Sequence, residues 1–131
     1  MSPAEPRWVP SIVVEAIQVD QIREHGGLIG LIDRNALESA LARPRQRWSY
    51  QRASDLAELA AAYAFGISSN HPFRDGNKRV AFLAAIVFLE LNGLEFVAPD
   101  AEVVEKSLAL ASGELGEEAL AEWIRSRCQS R

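Results

Sequence analysis

The chain has 131 residues, of which 48% are hydrophobic and 24% are charged, a composition typical of one folded globular domain. This composition argues against a disordered chain, and the length argues against a two-domain enzyme. The longest unbroken apolar run, residues 80–89, is far shorter than the ~20 residues of a membrane-spanning helix, so we expect no membrane contact. The formal net charge of −4 argues against a wide basic surface, so we expect no direct nucleic-acid binding.

Two features bear on the compartment. The first residues lack the basic region followed by an apolar stretch that marks a secretory signal. Cys128 is the only cysteine and has no partner for an internal disulfide, which fits a reducing environment. We therefore expect a cytoplasmic protein.

The N-terminal third predicts an arm, a helix and a flap. Residues 1–10 contain three prolines and predict an extended arm that contacts the domain through Trp8, with a loosely ordered terminus rather than a functional element. A helical period of apolar residues then predicts a first helix over residues 11–24, ended by the glycines that follow. The glycine-rich segment 27–33, called the flap below, predicts a short exposed extended structure.

A short helix and a polar loop are expected next. Asn35 is a candidate cap for this helix, which should end near Arg43 because Pro44 disfavours helical conformation in the residue before it. The loop is rich in arginine and aromatic residues: Arg43, Arg45, Arg47, Trp48, Tyr50 and Arg52. Two interpretations stay open, a clamp for phosphates or a partner and a solvated loop whose aromatic rings pack on the domain; we favour the second.

Four further helices complete the pattern, over residues 54–69, 77–91, 100–111 and 117–128. The second of these is apolar on nearly all sides and is followed by the stop signal Gly93, so it should be central. No segment alternates over enough residues to predict a sheet. The predicted fold class is all-α, with about six helices and one flap in a single domain spanning residues 1–131.

Residues 71–79, with the sequence HPFRDGNKR, concentrate side chains suited to chemistry and are called the motif segment below. Gly76 lets the backbone turn close to a ligand, and Asn77 begins a helix whose first N–H groups lack partners and attract anions. Lys78 and Arg79 lie in the first turn, where cations are unfavourable by up to ~1 kcal/mol unless an anion is bound. Polyphosphate is the anion that this combination predicts.

The remaining residues of the motif segment complete a candidate site. Asp75 suits Mg²⁺, which typically takes one or two carboxylates together with phosphate oxygens. In its neutral form the imidazole of His71 can accept the proton of a hydroxyl group, while Phe73 should anchor the segment in the core. The candidates are therefore His71 for catalysis, Asp75 for the metal, and Gly76, Asn77, Lys78 and Arg79 for the nucleotide.

The residues of the motif segment also allow purely structural interpretations. Each residue taken alone also fits a helix cap or a solvated side chain, but the set together favours a site. The segment is neither a Walker A loop nor a protein-kinase catalytic loop. A zinc site is weaker still, because His25 and His71 are the only histidines and the cysteine is distant in sequence.

The string HPFRDGNKR resembles the Fic motif, HPFx(D/E)GN(G/K)R. The strings EHGGLIGLIDRNALESALARP, DLAELAAAYAFGISSNHPF and FLELNG are similar to the short Doc (death on curing) branch, the toxins of toxin–antitoxin pairs. The resemblance covers residues 11–125. It implies an all-helical Fic fold and a Mg-nucleotide-dependent transfer to a protein hydroxyl, with His71 as base, Asp75 on the metal and residues 76–79 on the phosphates.

Two positions bear on which group is transferred. Lys78 stands where AMP-transferring Fic proteins carry glycine, and Phe82 where they often carry a second arginine. Both are similar to Doc, which passes the γ-phosphoryl group of ATP to a threonine of elongation factor Tu and stalls translation. Gly76 departs from this pattern, because phage-type Doc has alanine there. The self-inhibitory pattern (S/T)xxxE(G/N) is not found, so the resemblance implies control in trans by a Phd-like antitoxin.

Three functions remain open at this point. The expected one is a Doc-like kinase that uses ATP (or another NTP) with Mg²⁺; the alternatives are a Fic-type AMP- or other NMP-transferase and a catalytically inert Fic-fold binding module. The intact motif argues against the inert module. The flap is a candidate for docking the target segment by strand addition, with a plain connector as its alternative.

Overall fold

The computed structural model describes residues 4–131, which form six helices and one small sheet. The elements in chain order are α1 (Ser11–His25), α2 (Arg34–Tyr50), α3 (Leu56–Asn70), α4 (Asn77–Leu91), β1 (Leu94–Phe96), α5 (Asp100–Ser112), α6 (Glu117–Ser126) and β2 (Cys128–Ser130). The predicted all-α class with about six helices is confirmed. Within this described range, no helix has both the length and the apolar character required to cross a membrane.

The centre of the fold is the packing of α3 against α4. Asp55 begins α3 with a capping box, in which its side chain accepts from the Glu58 N–H and the Glu58 side chain accepts from the Asp55 N–H. Tyr63 of α3 and Phe88 of α4 are each fully buried, and their ring centroids lie 5.1 Å apart. The prediction that α4 is central is confirmed. These two helices position the motif segment, which joins the end of α3 to the start of α4.

The prediction of a short helix followed by a polar loop is wrong. Helix α2 begins after the cap Asp33, whose side chain accepts from the Ala36 N–H, and it continues through Pro44 to Tyr50. A proline inside a helix removes one backbone hydrogen bond and disfavours the turn before it. Here burial outweighs that local cost, because Leu37, Ala40, Leu41, Pro44 and Trp48 form one continuous buried face.

The arginines of α2 hold neighbouring helices together. Arg47 donates to Glu58 of α3 and to Glu117 of α6, at 2.6 and 3.0 Å, and Arg43 also donates to Glu117. Arg52, just after the helix, lies 3.8 Å from the centroid of the buried Trp48 ring. These arginines therefore serve packing, and they lie on α2 or just after it, away from the motif segment.

A small antiparallel sheet was not predicted. Strand β1 pairs with β2 in a register that sets Glu95 opposite Gln129. Each strand has three residues, too few for an alternating pattern to be visible in sequence. Helix α6 consequently ends at Ser126, and Cys128, which was predicted as the last residue of the helix, begins β2.

The N-terminal arm packs on the domain over residues 4–10, while its first three residues lie outside the described part of the chain. Trp8 stacks on Phe88 with ring centroids 5.8 Å apart, which confirms the predicted contact. Val9 is 2% exposed, and its N–H donates to the Tyr63 hydroxyl at 3.0 Å. The expectation of a loosely ordered terminus is wrong for these residues, because a buried side chain and a buried hydrogen bond fix them.

Candidate active site

The motif segment combines buried anchors with exposed polar side chains. Phe73 is 2% exposed, which confirms it as the anchor in the core. The buried residues are Pro72, Phe73 and Asn77, and the exposed ones are His71, Arg74, Lys78 and Arg79. The anchors fix the backbone and leave His71, Lys78 and Arg79 facing solvent, whereas the predicted metal residue Asp75 is half-buried.

His71 is the residue at which helix α3 ends. Its backbone is left-handed, with φ 47° and ψ 56°, and it is the one non-glycine residue with positive φ among residues 4–131. Such a conformation is uncommon for residues other than glycine, and it occurs most readily for Asn, Asp and His. Within the same range the imidazole forms no hydrogen bond with the protein, so both of its nitrogens are open to a ligand.

Asn77 closes the motif segment into a turn. Its Oδ1 accepts from the Phe73 N–H at 3.1 Å, and its Nδ2 donates to the Phe73 carbonyl at 2.9 Å. The side chain is therefore committed to the protein. Any nucleotide contact from Asn77 would use its backbone N–H instead.

The first turn of α4 presents unpaired N–H groups. Gly76 is the N-cap, with φ 78° and ψ 12°, and it supplies no side chain to cap the helix. Across residues 4–131 the backbone N–H groups of Asn77, Lys78 and Arg79 find no protein acceptor. A helix start of this kind attracts anions, since its free N–H groups and the helix dipole act in the same sense.

The cations of the motif segment are also unpaired. In the described part of the chain, no carboxylate forms a salt bridge with Arg74, Lys78 or Arg79. The first turn of α4 contains no acidic residue to offset the two cations it carries. This charge distribution disfavours the empty helix start and would be relieved by a bound polyanion.

The motif segment lines an open groove of about 960 Å³. Its walls come from the end of α1, one face of α4 and one face of α5. His71, Asp75, Gly76, Lys78 and Arg79 all reach this groove, so the structure brings together the side chains predicted for catalysis, metal and nucleotide. His25 also lines it, but residues 4–131 contain no group of three His, Cys, Asp or Glu side chains that could hold a metal.

The flap pairs with the motif segment as a short antiparallel bridge between Leu31 and Phe73. The Ile32 N–H donates to the Pro72 carbonyl at 2.9 Å, and the Arg74 N–H donates to the Gly30 carbonyl at 3.0 Å. One edge of the flap is thus occupied by the segment it covers.

The outer edge of the flap remains open. The backbone groups of Ile29 and Leu31 form no hydrogen bond with any residue from 4 to 131. Leu28, Ile29 and Ile32 are between 49% and 60% exposed, so their apolar side chains also face solvent.

Sequence reasoning missed Gln18, which joins the flap to the motif segment. The buried face of α1 is Val14, Gln18 and Ile22, whereas the apolar Ile12 of the same helix is 73% exposed. Gln18 is 1% exposed, and its amide contacts the backbone of both the flap and Asp75. The signal available in sequence was its position four residues from both Val14 and Ile22.

Comparison with known proteins identifies the family of this chain. The sequence profile of the Fic/DOC family matches residues 8–89, more than half of the chain. The chain belongs to the Fic/Doc family. It is 32% identical over 110 residues to the protein kinase doc of Escherichia phage P1, covering 84% of this chain and 86% of that protein. It is 36% identical over 74 residues to the toxin Doc of Mycolicibacterium smegmatis, covering 56% and 57% respectively.

The residues present in this Fic/Doc site fit a magnesium ion. Asp75 Oδ2 accepts from the Leu28 N–H at 2.7 Å, whereas Oδ1 has no protein partner within residues 4–131. Mg²⁺ is usually held by one or two carboxylates plus substrate phosphates rather than by a cage of protein ligands. A single free carboxylate oxygen beside an open helix start matches that requirement.

Proposed function

We propose that this Fic/Doc chain is a toxin that transfers the γ-phosphoryl group of ATP to a protein hydroxyl. The expected acceptor is a threonine of elongation factor Tu. Modification of this threonine would inhibit translation in the cytoplasm. One observation carries the proposal: the unengaged imidazole of His71 shares a groove with the open start of α4 and its unpaired cations.

Residues of the motif segment have separate roles in the proposed reaction. Asp75 would hold Mg²⁺, which neutralises charge on the phosphate oxygens when bound. Lys78, Arg79 and the free N–H groups of the first α4 turn bind the phosphates of ATP. His71 accepts the proton of the acceptor hydroxyl as its oxygen forms a bond to the γ-phosphorus, and ADP leaves with the electrons of the broken P–O bond.

The flap supplies a docking edge for the acceptor segment. Strand addition needs unpaired backbone groups on one edge of an extended segment, and Ile29 and Leu31 offer them. The inner edge pairs with the motif segment, which begins at His71. A peptide added outside the flap would therefore run alongside the motif segment with the flap between them, two strand spacings or about 10 Å from that backbone.

The groove also suits an antitoxin. Val104 and Leu108 of α5 are 58% and 55% exposed, lie one turn apart and line the same groove as His71. An apolar stripe of this kind accepts an amphipathic helix, and the unpaired cations nearby favour acidic residues in it. A Phd-like antitoxin whose tail folds into this groove would block the nucleotide site, and one of the similar proteins is named a toxin.

Transfer of AMP or another NMP is the second candidate. Gly76 favours it, because a glycine at this left-handed position places no side chain against the proposed phosphate site at the start of α4. Lys78 opposes it, since its side chain stands where AMP-transferring family members carry glycine.

Labelled ATP distinguishes the candidates. Purified protein is incubated with elongation factor Tu, Mg²⁺ and ATP labelled at the α- or the γ-phosphate. We expect label on the target only from the γ position; label only from the α position would establish nucleotidyl transfer and refute kinase chemistry. His71→Asn is the matched control, because asparagine tolerates the left-handed backbone but is not a base at neutral pH. If wild type and His71→Asn are equally inert, and equally harmless when expressed, the binding-module alternative stands.

A further inference from the structure

Gln18 lies at the centre of a buried polar network. Its Nε2 donates to the Leu28 carbonyl at 3.1 Å and to the Asp75 carbonyl at 3.2 Å, and its Oε1 accepts from the Gly30 N–H at 3.3 Å. The residue is 1% exposed, so water does not compete for these groups. Both donor hydrogens and the acceptor of the amide are therefore used within the protein.

The network connects two parts of the site that lie far apart in sequence. Leu28 and Gly30 belong to the flap, while Asp75 belongs to the motif segment. The flap and Asp75 are also joined directly, because the Leu28 N–H donates to Asp75 Oδ2 at 2.7 Å. Gln18 thus holds the backbone of Asp75, and the flap residue held by Gln18 also holds the Asp75 carboxylate.

We propose that Gln18 is a positioning residue that sets the Asp75 carboxylate and the flap in one geometry. This inference rests on the proposed function for the roles of Asp75 and the flap. With Oδ2 occupied by the Leu28 N–H, Oδ1 is the carboxylate oxygen that would hold Mg²⁺. The outer flap edge keeps a fixed distance from His71, because the inner edge is pinned at both Leu28 and Gly30.

Only a primary amide meets these demands. Glutamate would set a carboxylate oxygen against two carbonyl oxygens, and an apolar residue would leave those carbonyls and the Gly30 N–H without partners. Gln18→Leu is close in volume and removes all three hydrogen bonds. Asn92→Leu is the matched control, since Asn92 also forms three side-chain-to-backbone hydrogen bonds, to Arg7 and Phe88, away from the site.

The first test uses the protein without ATP, metal or target. Amide hydrogen exchange followed by NMR reports the protection of the Leu28 and Gly30 N–H groups. Gln18→Leu should lower both protection factors on the order of tenfold, while Asn92→Leu should leave them unchanged and expose the Arg7 N–H instead. Unchanged protection of Leu28 and Gly30 in Gln18→Leu would overturn the proposal, whether or not the protein proves to be a kinase.

The second test uses phosphoryl transfer with purified target protein. Gln18→Leu should raise the Mg²⁺ concentration for half-maximal rate, and the KM for the target, each on the order of tenfold, as loss of a partner behind a metal ligand typically does. The value of kcat at saturation should change much less, because His71 is untouched. A fall in kcat with both concentration terms unchanged would contradict the positioning role.

A folding defect is handled by a second variant. Gln18→Met fills a similar space with a flexible side chain and lacks the amide. It should reproduce both effects of Gln18→Leu, and normal exchange together with normal kinetics in a folded Gln18→Met would overturn the proposal. If the wild-type protein shows no phosphoryl transfer while the hydrogen-exchange result is as expected, the proposed function alone is contradicted.

Discussion

Asn77 satisfies both backbone hydrogen-bonding groups of Phe73, as acceptor from its N–H at 3.1 Å and as donor to its carbonyl at 2.9 Å. The two residues lie four positions apart and enclose Arg74, Asp75 and Gly76. The motif segment is therefore closed by its own last buried side chain. This closure keeps the helix start in place while leaving its N–H groups unengaged.

Replacing Asn77 by alanine should affect stability and activity together. Two backbone groups of a residue that is 2% exposed lose their partner, which costs about 1–3 kcal/mol in the free energy of unfolding. Transfer to the target should fall at least about tenfold, because the first turn of α4, which is proposed to bind the phosphates, loses its fixed geometry. Urea denaturation and the labelled-ATP assay measure the two effects. The exposed Asn35→Ala is the control, and an equal loss in both variants would contradict the closure.

We expect Lys78 to lower the stability of the ligand-free protein and to strengthen the binding of ATP. A cation in the first turn of a helix is unfavourable, so Lys78→Ala should stabilise the ligand-free protein by about 0.3–1 kcal/mol. The same change should weaken ATP binding, measured by calorimetry. Lys106→Ala is a close control, since it alters the only other lysine, within α5, and matches any gain from the helix preference of alanine. A loss of stability specific to Lys78→Ala would show that this lysine has a structural partner.

Gly66 lies where α3 approaches α2. A Cβ atom there would come within 2.9 Å of Arg43 Cδ and 3.1 Å of the Ala40 carbonyl oxygen. Alanine normally stabilises a helix interior by about 1 kcal/mol relative to glycine, but this contact should reverse the sign and destabilise the protein by about 1–3 kcal/mol. Thermal unfolding measures the change. Gly116→Ala, where nothing lies within 4 Å, should cost no more than about 1 kcal/mol, and a stabilised Gly66→Ala would contradict the close approach.

The Asp55–Arg125 pair should make stability depend on acid pH. Burial alone would raise the pKa of Asp55, but hydrogen bonds from Arg125 and from the Glu58 backbone outweigh it, and the pKa lies below its usual value. A lowered folded-state pKa means that the stabilisation is present above about pH 4, the value in the unfolded chain, and is lost as the pH falls through the folded-state value. Because the pair is partly exposed, the contribution is at most about 1 kcal/mol.

Asp55→Asn isolates this contribution, because asparagine keeps the helix cap and removes the charge. The variant should be less stable than wild type at pH 7, and the two should converge as the pH falls below about 4. Denaturant unfolding across that range measures it. Arg125→Gln should abolish most of the difference, and a gap between wild type and Asp55→Asn that persists at low pH would assign the effect to something other than charge.

The pattern of residues was enough to predict the helices that bury a regular apolar face and to identify the motif segment. Helices α3 and α4 follow the 3.6-residue period closely, so their positions were predicted within about two residues of those observed. Phe73 was predicted as the anchor because it is the large apolar residue among polar neighbours. Local pattern and tertiary packing agree at these places, and the pattern was sufficient.

Other features could not be predicted from local patterns, because long-range contacts override local preference there. Helix α2 passes through Pro44 because its buried face outweighs one missing hydrogen bond. Strands β1 and β2 exist because residues 34 positions apart, such as Glu95 and Gln129, are brought side by side. Gln18 has a polar side chain that sequence patterns place at the surface. Its burial follows from three backbone partners supplied by the flap and by Asp75, which become neighbours only when the chain is folded.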